Sequence, residues 1–232
     1  MAGRPEVPAH PAATVVLLRD SSQGCEVLLV RRNSKLAFHG GAWVFPGGRI
    51  DAEDYRAGAR PDDVRAAAFH AAVREAAEEA GIALAPTDLV PFSRWVTPEG
   101  LPKRFDTWFF AAAAPPADVR VDGFEIEEHR WMLPQAALAA RHAGEIELPP
   151  PTFVTLSRFC GAQTTAAVLD DLRREPQRAY VPRLHLLVGG GACSLYEGDA
   201  GYDVGNPDLP GARHRLTMHP GGAWTYECSD DG

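Results

Sequence analysis

The stretch AAVREAAEEAGI, residues 71–82, crowds three glutamates and an arginine onto an alanine-rich segment of helical period. Advancing about 100° per residue from Arg74, a helix puts Glu78 at about 40°, Glu75 at about 100° and Glu79 at about 140°, so the carboxylates share one face. Phe69, Val73, Ala76 and Ala80 fall on the opposite side, where they can pack against a sheet. The helix is expected to start near Asp62 or Asp63, both good N-caps, and to stop at Gly81. Taken alone, the pattern is satisfied by a solvated face with an Arg74–Glu78 pair at i,i+4. Three close carboxylates repel one another, however, and a hard divalent cation wants clustered carboxylate oxygens and offsets that repulsion. Metal binding gives the crowding a reason.

Around that helix the chain reads as strands and turns. Residues 13–19 (ATVVLLR) and 26–32 (EVLLVRR) are apolar runs separated by DSSQG, which predicts two strands joined by a turn. HGGAWVFPGGRID brackets a short apolar run with glycine pairs, expected to form a functional loop that bends sharply or lies close to a ligand. DAEDYRAGARPDDV reads as a solvated excursion. Strands are expected in DLVPFSRWV, FDTWFFAAAA and FEIEEHRWM, then helices around 134–142, 151–160 and 164–175, and strands and turns from 181 onward. The proline cluster LPPP at 148–151 is the best hinge candidate.

With 232 residues, the chain can bury one good core and is expected to form one globular unit with a C-terminal extension. Its formal charge of −8 argues against nucleic-acid binding, which needs a basic footprint. Cys25, Cys160, Cys193 and Cys228 show no spacing for a zinc site or a disulfide framework. The opening carries no signal-peptide pattern, and no run approaches the roughly 20 apolar residues of a membrane span, so a soluble cytoplasmic protein is expected. The end, CSDDG, carries no peroxisomal address, which fits that setting.

The sequence resembles the Nudix hydrolases, whose signature is G-x5-E-x7-R-E-U-x-E-E-x-G-U, with U a bulky aliphatic residue. Arg74, Glu75, Glu78, Glu79, Gly81 and Ile82 match its second half in register, with Ala76 at the first U, and Gly47 followed by Glu53 matches its first. Twenty residues separate Glu53 from Arg74 where the signature has seven, an insertion of 13. The resemblance implies an α/β fold, a Nudix α/β/α sandwich with a mixed β-sheet. It would span residues 10–160, with an insertion inside the box, and residues 161–232 would form a helix and strand extension packed on the same unit. It also implies Mg2+ or Mn2+ as cofactor, with Glu75, Glu78, Glu79 and the Gly47 carbonyl as metal ligands. Glu75, Arg74 and Glu125 would be the catalytic set, the arginine orienting a glutamate. Glu125 is the first choice among the acidic residues of DGFEIEEHRW. His39, His70 and His129 are not assigned as bases.

The stretch LLVRRNSKLAFHGGAWVFPGG is similar to the motif that precedes the box in the coenzyme A diphosphatases, L-L-T-x-R-S/A-x3-R-x3-G-x3-F-P-G-G. Leu28, Leu29, Arg32, Gly41, Phe45, Pro46, Gly47 and Gly48 match, while Val30, Asn33 and Ala37 depart from it. This resemblance implies hydrolysis of coenzyme A or acyl-coenzyme A to 3′,5′-ADP and a phosphopantetheine product. Arg32, Arg49 and Gly48 would be substrate-binding, with Arg32 the choice for the 3′-phosphate. Two alternatives stand beside it. One is an ADP-ribose or nucleotide-sugar diphosphatase, for which a proline 16 residues beyond the box, Pro98, is the cue. The other is a non-catalytic ligand sensor, against which the retained Arg74, Glu75, Glu78 and Glu79 argue. The expected partner is a small-molecule nucleoside diphosphate derivative, with neither nucleic acid nor membrane, and a homodimer is left open.

Overall fold

Strand β1 (Ala9–Ser21) turns back into β2 (Gly24–Arg32) as an antiparallel hairpin, with Leu18 opposite Val27 and Ser21 opposite Gly24. The computed structural model describes residues 7–35, 40–57, 62–121 and 123–229. Ala37 and His39 lie outside them. The glycine-bracketed segment expected as a loop carries two short strands instead, β3 (Trp43–Val44) on β2 and β4 (Gly47–Arg49) on β1. Helices α1 (Ala52–Ala57) and α2 (Val64–Ala80) follow, then β5 (Val90–Val96), β6 (Arg104–Ala113) and β7 (Ile126–Met132). Helices α3 (Pro134–His142), α4 (Pro150–Arg158) and α5 (Thr165–Arg174) come next. The chain ends in β8 (Arg178–Tyr180), β9 (Arg183–Leu186), β10 (Ala192–Leu195), β11 (His214–Met218) and β12 (Trp224–Cys228).

The chain divides into two compact units, one of residues 11–94 and 107–178 and the other of residues 1–10, 95–106 and 179–232. In the first, the mixed sheet runs β3-β2-β1-β6-β5, with β4 also on β1 and β7 also on β2. Alternation along the strands divides the apolar side chains between two faces. Val15, Leu17, Leu28, Val30 and Phe110 form a core with Ala68, Ala72, Ala76 and Ala80 of α2. On the other side Phe92 meets Phe109 edge-on and Phe159, at the end of α4, in a tilted contact. A sheet covered by helices on both faces is the expected α/β/α sandwich.

The ends of α2 fall where sequence places them. Asp63 caps it by accepting from the Ala66 amide at 3.0 Å, and Gly81 closes it with a left-handed φ of 67°. Two expectations need correction. The segment between the box halves is not wholly a solvated excursion, since α1 forms there, packs on α2 and buries Asp54. The proline cluster at 148–151 is no hinge between the units: Pro149 and Pro150 begin α4, where a missing amide hydrogen and a fixed φ cost a helix nothing.

The second unit holds the antiparallel sheet β12-β11-β10-β9. Trp95 and Tyr180 stack there at 3.9 Å between centroids and 2° between planes, with Tyr196 edge-on to both. Asp199 receives Arg215 through a two-pronged contact, 2.7 Å on each oxygen. None of the four cysteines is in a disulfide, and no helix among the described residues is long and apolar enough to cross a membrane.

Candidate active site

Two glycines let β4 lie against its neighbours. A Cβ on Gly47 would come within 2.6 Å of the Ala13 carbonyl and the Thr14 side chain, and one on Gly48 would overlap the Glu75 carboxylate. The turn before them is fixed by Thr14, whose hydroxyl donates to the Pro46 carbonyl at 2.6 Å, and by the Val15 amide, 3.0 Å from the same oxygen. The carboxylate face of α2 is therefore turned toward β4. Glu79 is 4% exposed and accepts from the Gly47 amide at 2.9 Å.

Arg74 stands at the centre of the cluster. Its Nε and Nη2 donate to the two oxygens of Asp54 at 3.2 and 3.0 Å, and Nη2 also reaches the Arg49 carbonyl at 2.9 Å. Nη1 donates to Glu75 at 2.8 Å and to Glu78 at 2.9 Å. A guanidinium has five N–H donors, and each is used. Burial works against the charge of Arg74, but Asp54 and Glu75 override it and hold the guanidinium pKa above its ordinary value.

Glu125 comes from the opposite edge of the cluster. The β2–β7 register shifts between Arg31 and Arg32, and the Asn33 amide donates to the Glu125 carbonyl at 2.7 Å. This irregularity sets Glu125 beside Arg32, carboxylate to Nη2 4.0 Å. Glu127 and Glu128 pair with Arg31 instead, at 3.4 and 3.3 Å. Burial raises the Glu75 carboxyl, with Arg74 opposing and the charges of Glu78 and Glu125 adding to the rise. Burial likewise pushes Glu79 up to about 8, against the Gly47 amide and with Glu75 and Glu125 adding.

Gly47, Gly48, Arg49, Arg74, Glu75, Glu78 and Glu79 are thus brought together, with Arg32 and Glu125 at one side. Glu78 is on the exposed side, held by Arg74. Glu53 is exposed on α1, and the buried Asp54 beside it takes the arginine. Sequence reasoning missed Asp54 because the five-residue spacing from Gly47 singles out Glu53; the available signal was an adjacent second acid.

Among the described residues no three carboxylate, imidazole or thiol groups form a ready-made metal cage. The donors nevertheless fit a hard divalent ion. Mg2+ is typically held by one or two carboxylates together with waters and substrate phosphates, and Glu79, buried, and Glu75, partly buried, are oxygen donors whose ionised forms burial disfavours.

The NUDIX domain profile matches residues 8–150. The chain belongs to the NUDIX family. A NUDIX hydrolase from Alicyclobacillus acidocaldarius has a similar structure, with a TM-score of 0.65 at 26% identity, covering 73% of this chain and 99% of that one. A Caenorhabditis elegans protein bearing the name nudix hydrolase 7 is 25% identical over 186 residues, 64% of this chain and 59% of its own length. The human acyl-coenzyme A diphosphatase NUDT19 is 32% identical over 121 residues, 48% of this chain and 31% of its own length. The NUDIX chain described here therefore spans less than two thirds of either curated relative.

Proposed function

We propose that the chain is a divalent-metal-dependent diphosphatase that hydrolyses a nucleoside diphosphate derivative, with coenzyme A or acyl-coenzyme A as the substrate. The observation that carries the hydrolytic reading is the face of α2 set against β4, where Arg74 holds the partly buried Glu75 and the Gly47 amide holds the buried Glu79. Glu75 and Glu79 would hold Mg2+ or Mn2+, with Gly47 and Glu78 beside them. The ion would lower the pKa of a water and neutralise charge on the phosphoryl oxygens.

The side chains do the rest. Arg74 keeps Glu75 in one rotamer. Gly48, whose missing side chain makes room for the Glu75 carboxylate, and Arg49 after it on the same strand would contact the phosphate. Glu125 is the acceptor for the proton of the attacking water. Arg32 faces the same cluster, and its Nε is buried without a hydrogen-bond partner. That donor is suited to a diphosphate oxygen, as guanidinium geometry matches phosphate. Its place beside Glu125 favours the scissile diphosphate over the 3′-phosphate as its target.

Coenzyme A is favoured by the motif matches from Leu28 to Gly48 and by the likeness to an acyl-coenzyme A diphosphatase. The deciding experiment is a product assay over coenzyme A, ADP-ribose and NADH. Release of 3′,5′-ADP from coenzyme A faster than AMP from the others is expected, and faster cleavage of ADP-ribose would overturn the substrate. With Arg32→Ala, kcat/KM should fall to similar extents for coenzyme A and 3′-dephospho-coenzyme A. A loss confined to coenzyme A would return Arg32 to the 3′-phosphate.

A further inference from the structure

We propose that Asp54, carried by α1 within the inserted segment, is a positioning residue that sets the Glu75 and Glu78 carboxylates through Arg74. The inference rests on the reading above that this cluster takes a divalent cation. Neighbouring residues on a helix point about 100° apart, and of Glu53 and Asp54 the first is exposed and the second buried. Asp54 is the one that faces α2, at 4% exposure.

Its carboxylate is fixed before it meets the arginine. The Asp51 amide donates to Asp54 Oδ2 at 2.8 Å, and the Asp54 amide donates back to the Asp51 carbonyl at 3.1 Å. This local ring holds the carboxylate edge toward α2, where Arg74 meets it with Nε and Nη2. Guanidinium is planar and rigid, so anchoring Nε and Nη2 also fixes Nη1. Nη1 is the atom that holds Glu75 and Glu78. Any rotation of the plane about Cδ–Nε would shift both contacts, so the inserted helix reaches the metal-binding carboxylates through a single stiff plane. The insertion thereby supplies part of the site.

Asp54→Asn tests this, because it keeps the size of the side chain and replaces one acceptor oxygen with a donor that faces other donors. Mn2+ affinity, read from the electron paramagnetic resonance of free Mn2+, is the measurement, made where far-ultraviolet circular dichroism shows both proteins fully folded, since partial unfolding alone would weaken the apparent affinity. The expected result is about tenfold weaker Mn2+ binding in Asp54→Asn, the range for a partner that orients a metal ligand, with Glu53→Gln within about twofold of the unmodified chain. In the substrate assay kcat should fall while KM changes little. Equal Mn2+ affinity in Asp54→Asn and the unmodified chain would overturn the inference. If Asp54→Asn does not fold, Arg74→Lys replaces it: lysine keeps the charge but cannot form the planar contact, so wild-type affinity there would also overturn it. Absence of saturable Mn2+ binding by the unmodified chain is a different result, which would overturn the metal reading and this inference together.

Discussion

The Gly47 amide nitrogen lies 2.9 Å from Oε2 of Glu79, so a strand of the sheet donates directly to a carboxylate buried on the helix it faces. One hydrogen bond from a neutral amide does not replace the hydration that Glu79 loses, and the carboxylate is left calling for a cation.

Replacing Glu79 with glutamine keeps the shape and the possibility of a bond to Gly47 but removes the negative charge. Turnover should drop by about a hundredfold or more at saturating Mg2+, with far-ultraviolet circular dichroism unchanged. Turnover close to that of the unmodified chain would remove Glu79 from the metal site.

The same carboxylate makes stability depend on pH. In the folded chain Glu79 titrates at about 8, against an ordinary value of 4.5. Between those values the folded state keeps a proton that the unfolded state has released, so the stabilisation is full below the ordinary value and is lost as pH rises through about 8. In chelator, the Tm of the unmodified chain should fall relative to that of Glu79→Gln as pH goes from about 6 to about 9. Parallel melting profiles for the two proteins would refute this.

Gly48→Ala places a methyl group where the Glu75 carboxylate stands. Either the strand or Glu75 must move, at a cost of about 1–3 kcal/mol. Activity should fall more than stability does, because the displaced group is the one that Arg74 aligns. Assay and thermal melt of the same preparation separate the two effects.

Excising α1, residues 52–57, would take from Arg74 its two bonds to Asp54 and leave it Glu75, Glu78 and the Arg49 carbonyl. The expected loss is about 2 kcal/mol, well above the small entropy change of altering a surface loop's length. An unchanged denaturation midpoint would show that α1 only decorates the surface.

How much of this was legible in the sequence depends on how local each determinant is. Arg74, Glu75, Glu78 and Glu79 keep their register because the helix alone sets it, and Asp63 and Gly81 mark its ends through bonds made within a few residues. The DSSQG turn was equally local. Asp54 was not legible, because choosing between two adjacent acids requires knowing which side of α1 meets α2, a matter of tertiary packing. The same holds for Glu125 over Glu127 and Glu128: a register shift in the β2–β7 pairing decides which glutamate meets Arg32. Burial of Glu79 was missed because three charges on one helical face look like a solvent-facing stripe until a strand of two glycines is laid against them. The strands β3 and β4 are too short, at two and three residues, for any alternation to show.

The Trp95–Tyr180 stack places two aromatic transition dipoles almost in contact, in nearly parallel planes. Rings so arranged exchange excitation, and their coupled bands appear in the near-ultraviolet circular dichroism only while the pair is intact. Because both residues belong to the unit built around β9–β12, the signal is an optical reporter native to that unit. Followed alongside catalytic activity during denaturation, it would tell whether the two units melt together or in sequence, without a label or a truncated chain.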